Sequence, residues 1–162
     1  MDHIDRIAEQ WRRERPDLDV DALELAGRLL RTADLADDRL AAGLAGHGLQ
    51  PGWFDLLAAL RRAGRPYELT PTELMGATML TSGGVTKRLD RLVGAGFVER
   101  RPDPTDRRGT RVRLTRRGKG AIDRAVAAHV ASEERLLGVL SRADRKALDT
   151  ALRKLLASLE LT

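Results

Sequence analysis

Twelve basic side chains lie against four acidic ones between Lys87 and Lys119. The simplest chemistry for such a stretch is neutralisation of a polyanion, because Lys and Arg on phosphates release condensed counterions. The run Lys87-Arg88-Leu89-Asp90-Arg91 places its cations at helical spacing, and Asp106 stands beside Arg107 and Arg108, with Arg111 close by. A carboxylate next to guanidiniums can orient one of them for insertion into a narrow groove. A run of arginines can equally form a solvated edge, so the elements around it have to decide.

The charge is polarised along the chain. Residues 1–50 carry 7 basic and 11 acidic side chains, a net −4, whereas residues 51–119 carry 15 and 7, a net +8. Residues 120–162 add +1, and the 162-residue chain totals +5. An acidic end beside a concentrated basic segment locates a polyanion surface in the middle of the chain.

Other chemistries lack their residues. With no cysteine there is no disulfide, no thiolate metal site and no thiol switch. His3, His47 and His129 are far apart with no ligand spacing, so no metal is expected. Gly83-Gly84 stands alone without a Walker or dinucleotide pattern, and neither a Ser-His-Asp arrangement nor a carboxylate dyad is evident. The expectation is therefore a protein that is not an enzyme and needs no cofactor. At 42% hydrophobic, 33% charged and only 3% aromatic, the composition favours packed helices over a large sheet. No apolar run approaches the roughly 18 residues of a membrane span, and MDHIDRIAEQ lacks the features of a signal peptide. A soluble, cytoplasmic, single-domain chain is expected.

The elements follow from periodicity and punctuation. A helix from Asp2 to Arg15 carries Ile4, Ile7, Ala8 and Trp11 on one stripe and stops at Pro16. A longer helix from Val20 to Leu44 is expected to turn Leu23, Ala26 and Leu30 inward. Pro51 opens a third, ending at Arg62 or Ala63, with Trp53, Leu56, Leu57 and Leu60 as its apolar face. Thr70-Pro71-Thr72-Glu73 is a capping box for a helix over 71–77. After a turn at Met79–Leu80, a helix runs from Thr81 or Ser82 to Val93 with Val85, Leu89 and Leu92 inward, closed by Gly96 in a left-handed cap. The period then shortens: Phe97–Arg101 and Arg111–Leu114 form a β-hairpin with a long basic tip. Thr115 caps a helix to Leu140, and Ser141 caps a last one rich in leucine.

Helix, tight turn, helix and basic hairpin make a winged helix-turn-helix: one helix for the major groove, a wing for the neighbouring minor groove. On this reading Ser82, Gly83, Thr86, Lys87, Arg88 and Arg91 from the second helix meet DNA, as do Asp106, Arg107, Arg108 and Arg111 from the wing. The expected fold is mainly α with a small β-wing, in three stretches of one domain. Residues 1–50 supply an added helix and a scaffold helix, 51–119 the DNA-binding region, and 120–162 C-terminal helices. Leu136, Leu137, Leu140, Leu152, Leu155, Leu156 and Leu159 offer more apolar surface than one small winged domain should need. A homodimer on a palindromic operator accounts for them, since two-fold symmetry matches a palindrome; a core within one chain is the alternative.

The stretch from Leu74 to Thr115 also resembles the MarR family of bacterial transcriptional regulators. The wing signature carries the resemblance: Asp103-Pro104-Thr105-Asp106-Arg107-Arg108 followed by Val112-x-Leu114-Thr115. It implies a dimeric winged-helix repressor whose terminal helices interlock. The added first helix, ending Trp11-Arg12-Arg13-Glu14-Arg15-Pro16-Asp17-Leu18-Asp19, is similar to that of the urate-responsive PecS/HucR branch. In that branch a Trp on the added helix, an Asp and an Arg seven residues apart on the scaffold helix, and an Arg at the start of the wing form the ligand site. Trp11, Asp55, Arg62 and Arg100 fill those positions here. By resemblance, Arg62 holds an anionic purine, Trp11 stacks on it, and Asp55 is forced against its charge or loses a pairing with Arg100. The change then reaches the recognition helix through the strand holding Arg100. Removal of Arg62 is expected to leave operator binding intact and abolish its relief by urate. Each of the four residues also has a plainer role, in packing, solvated surface or phosphate contact. Alternatives at this point are a regulator answering to a different aromatic or phenolic ligand, and a nonspecific architectural DNA-binding protein.

Overall fold

The computed structural model describes residues 2–50, 52–78, 82–106 and 109–161. The chain forms two compact units, residues 1–42 and 43–162.

The first unit is a helical hairpin of α1 (His3–Glu14) and most of α2 (Asp21–Ala45). Asp2 caps α1 in a reciprocal box with Asp5, which satisfies the backbone N–H groups of both residues. Arg28 of α2 draws the helices together by pairing with Asp2 and Asp5, while Arg12 of α1 pairs with Asp21 and Glu24. Gly27 faces Ile4, where an added Cβ would stand 3.3 Å from the isoleucine side chain. These contacts correct one expectation about α2. The side turned toward α1 is Glu24-Gly27-Arg28, and Leu23, Ala26 and Leu30 are exposed rather than inward. Ion pairs and a glycine, not leucines, make this helix crossing.

The second unit holds a continuous core. Helix α3 (Trp53–Arg62) buries Trp53, Leu56, Leu57 and Leu60, the face its period predicts. Helix α4 (Pro71–Gly76) starts at the Thr70–Glu73 capping box and contributes Leu74. Helix α5 (Ser82–Gly94) adds Val85, Leu89 and Leu92, and the chain leaves it through Gly96 at φ 72°. That left-handed value is what a C-terminal glycine cap supplies.

Three strands complete the unit: β1 (Glu68–Leu69), β2 (Val98–Pro102) and β3 (Thr110–Leu114), in the antiparallel order β1-β3-β2. The β2–β3 hairpin pairs Val98 with Leu114 and Pro102 with Thr110. Strand β1, two residues paired with Arg113 and Val112, has no counterpart in the sequence pattern, because two residues are too few to show alternation. Helix α6 (Arg116–Leu137) is capped by Thr115 and packs Ala121, Ile122 and Ala125 on the core. Gly118 lies so close to the residue preceding β2 that any Cβ would enter the Phe97 carbonyl oxygen. Asp123 of α6 takes Lys119 and Arg61, and these two cations hold its carboxyl below the ordinary carboxylate range against the opposing effect of burial.

Helix α7 (Arg142–Glu160) differs from all the others in this unit. Ser141 and Asp144 cap it reciprocally, yet none of its residues is buried. No helix among the described residues is long and apolar enough to cross a membrane.

Candidate nucleic-acid interface and anion site

Helix α5 presents a divided surface. Its buried stripe of Val85, Leu89 and Leu92 leaves Thr86, Lys87, Asp90 and Arg91 exposed on the other sides. Ser82 and Gly83 open the helix. Arg88 departs from the outward set. It is half-buried, and its guanidinium lies over the bare backbone of Gly52, where a Cβ would come within 2.5 Å of Nε. Gly52 sits at φ 76°, so glycine is favoured there both for its backbone angle and for the room it leaves. Arg88 thus joins the recognition helix to the start of α3.

The wing is organised by Asp103, the first residue of its signature. Asp103, only 8% exposed, accepts hydrogen bonds from the Thr105 backbone N–H at 2.8 Å and from Thr105 Oγ1 at 2.7 Å. Its other oxygen faces Arg111 Nε at 3.0 Å. The Thr105 bonds, aided by Arg111, hold the Asp103 carboxyl below its ordinary range although burial opposes them. Gly109 fits beneath: a Cβ there would stand 2.9 Å from that of Asp103 and 3.0 Å from that of Asp106. Arg111, expected at DNA, is therefore three-quarters buried and engaged at the base of the wing. Asp106 is exposed at the tip. Arg107 and Arg108 lie outside the described residues. An Asp followed two residues later by Thr is the available sequence signal for such a turn, since a carboxylate readily accepts from a backbone N–H two positions on.

The four residues of the expected anion site are distributed over both units. Trp11 is in the first, on α1, with nearly half its surface exposed. Asp55, Arg62 and Arg100 are in the second. Asp55 lies on α3, half-exposed, and makes no side-chain hydrogen bond or ion pair among the described residues. Arg62, two turns along, donates from Nη2 to the Ala77 carbonyl oxygen at 2.9 Å. Arg100 pairs through Nη2 with Asp90 Oδ1 at 2.7 Å. The expected pairing of Arg100 with Asp55 is corrected accordingly. Asp90 stands on the exposed side of α5 facing β2, where it meets the guanidinium of Arg100. No group of three or more His, Cys, Asp or Glu side chains that could hold a metal occurs among the described residues.

Comparison with known proteins identifies the family. Residues 47–109 match the MarR family. Over 157 residues, 97% of this chain and 92% of the relative, the sequence is 39% identical to the HTH-type transcriptional regulator PecS of Dickeya dadantii. Among solved structures, AbsC, a MarR-family transcriptional regulator from Streptomyces coelicolor, superposes with a TM-score of 0.78 at 26% identity, covering 90% of this chain and 99% of that one. A mutant MarR from E. coli complexed with operator DNA gives 0.73 at 29% identity, covering 85% and 97%.

Proposed function

This chain belongs to the MarR family of transcriptional regulators, which bind DNA and are not enzymes, and from that premise we propose that it is a homodimeric repressor released from a palindromic operator by a small anionic ligand, urate. The helix-turn-helix and wing carry the DNA half of the reading. Thr86, Lys87 and Arg91 are exposed on α5, the face that enters a major groove in this arrangement. Ser82 and Gly83 at the helix start, Arg88 at its flank, and Asp106, Arg107, Arg108 and Arg111 in the wing complete the proposed contact set.

Dimerisation rests on α7. Leu148, Leu152, Leu155, Leu156 and Leu159 are all at least 40% exposed in the isolated chain, a stripe that a second copy would cover. The protein would act in the cytoplasm, where operator DNA is found.

One observation carries the ligand half: Trp11, Asp55, Arg62 and Arg100 are all present, and the added helix that bears Trp11 is formed. Two guanidiniums suit an anion, and an exposed indole can stack on a planar ring. The test is a gel-shift titration of the protein on DNA from upstream of its own gene, with urate, xanthine and salicylate as competitors. Urate should release the complex from the parent and fail to release it from Arg62→Ala. Release of both proteins alike would overturn the ligand assignment.

A further inference from the structure

A second concentration of positive charge lies at the base of the wing hairpin, the length of β3 (about 14 Å) from its tip. The end of α3 and the loop after it supply Arg61 and Arg65, and the first turns of α6 supply Arg116, Arg117, Lys119 and Arg124. These residues share one surface. Helix α6 turns Ala121, Ile122 and Ala125 to the core and leaves Arg116, Arg117 and Arg124 exposed on the other side. Arg61 reaches Asp123 of α6 at 2.7 Å and Lys119 reaches it at 2.6 Å. Both cations also lie against Tyr67, 5.0 and 5.8 Å from its ring centre. Arg65, exposed, stands two residues before that ring. Asp123 is the one carboxylate within 61–67 and 115–124.

Fold stability does not account for this charge. Arg65, Arg116 and Arg124 make no hydrogen bond or ion pair among the described residues, although the chain has 24 acidic side chains to offer. Helices α1, α2, α3, α4 and α7 each carry an acid in the first turn, where it complements the helix dipole; α6 has none there and begins with two arginines. Gly120 lies on the same side of α6 between Arg116 and Arg124, and a Cβ there would meet only the tip of Arg124, at 3.5 Å. Packing does not demand glycine at that point, and the bare backbone permits a close approach. No exposed large apolar side chain lies within 61–67 or 115–124, and the Tyr67 ring is covered by its two cations. A protein partner calls for an apolar or aromatic anchor at the centre of the contact, whereas a phosphate backbone calls only for charge. We infer that this surface binds the phosphate backbone of DNA outside the operator, without reading its sequence. Arg116 to Arg124 spans about 12 Å of helix, or three to four phosphate steps of one strand. The DNA is either the flank of the operator duplex or a second duplex. The inference rests on the DNA-binding reading above and is independent of the ligand.

The test compares the full-length parent with a variant combining Arg65→Gln, Arg116→Gln and Arg124→Gln. Its urea unfolding midpoint should match or exceed the parent's, since none of the three side chains holds a contact. Both proteins are titrated on the shortest duplex they protect upstream of the gene, and on that segment lengthened by about two helical turns on each side. Each phosphate neutralised adds about −0.9 to the slope of log K against log salt. For the flank of the same duplex, the parent's slope should steepen by about two to three on the longer DNA, and the variant's should not. For a second duplex, parent held on immobilised short operator should capture a labelled non-operator duplex, and the variant should not. On the short duplex the two proteins should agree within about twofold at 0.15 M salt, where charges more than about 8 Å away are screened. Equal slopes on both lengths together with no capture overturn the inference. So does an equal loss by the variant on the short duplex, which would make the patch part of the operator interface. Flat DNA measurements with polyglutamate bound by the parent and lost by the variant would assign the surface to an acidic polypeptide instead. A parent that binds neither duplex overturns the DNA-binding reading itself.

Discussion

Helices α5 and α7 obey the same local rules and meet different fates. Both space their apolar residues for one face. In α5 that face, Val85, Leu89 and Leu92, is at most 2% exposed. In α7, six residues longer and capped at both Ser141 and Asp144, Leu156 is 56% exposed and no side chain is buried. The difference lies in what stands opposite. Helix α5 packs against α3, α4 and β2 within the chain, whereas the leucines of α7 find no cover there. Amphipathic periodicity states that a face must be buried; it does not state against which molecule.

The largest effect should come from the covered side of this comparison. Leu89→Ala should destabilise the fold by about 2–5 kcal/mol, the range for a fully buried leucine left as a cavity. Urea unfolding followed by far-ultraviolet circular dichroism measures it, and a loss below about 1 kcal/mol would break the contrast. Leu152→Asp combined with Leu156→Asp should act on assembly. Sedimentation should give the mass of one chain, 17.9 kDa, where the parent gives twice that, and operator affinity should fall on the order of a hundredfold as two linked half-sites become independent. A parent that already sediments as one chain would remove the second copy from the comparison.

Smaller effects fall at the wing and at a helix end. Asp103→Asn should weaken operator binding severalfold by loosening the Thr105 turn and freeing Arg111, with little change in unfolding. The pH dependence has a definite sign. Because the Asp103 carboxyl is held below its ordinary value of 3.8, its ionised form favours the folded wing above that pH, and the benefit is lost as pH falls through the depressed range beneath it. An acid-side rise in amide exchange at Thr105, present in the parent and absent in Asp103→Asn, is the expected signature. Ser141→Ala should cost about 1 kcal/mol, the usual worth of an N-cap hydroxyl. Its effect should appear in α7 exchange rates and leave those of α5 unchanged, which separates the two helices once more.

Much of this architecture was legible because its signals are local. The Thr70–Glu73 box, the glycine cap at Gly96 and the Ser141 cap each act over a few residues, and each stands where the sequence placed it. The buried faces of α3 and α5 were equally plain. Strand β1 was not, since it exists only as a partner to β3. In α2 the leucine stripe suggested an inward face, while Arg28 and Gly27 decided which side meets α1. The candidate site was legible in its residue types more than in its contacts. Arg62 and Arg100 were marked as cations with work to do, but neither Ala77 nor Asp90 was marked as their partner.

By itself, then, the sequence determined the elements, the basic segment from Lys87 to Lys119 and the winged helix-turn-helix they build. Hydrogen-bonded turns, caps and periodic burial are properties of residues three or four positions apart, and those spacings are written in chain order. The tertiary structure alone decided that Arg62 holds a carbonyl 15 residues away, that Arg100 holds an acid 10 residues back on the recognition helix, and that Asp103 fastens the Thr105 turn of the wing. Long charged side chains have many possible acceptors, and only the docking of α3 beside the end of α4, and of β2 beside α5, brings one of them within 3 Å.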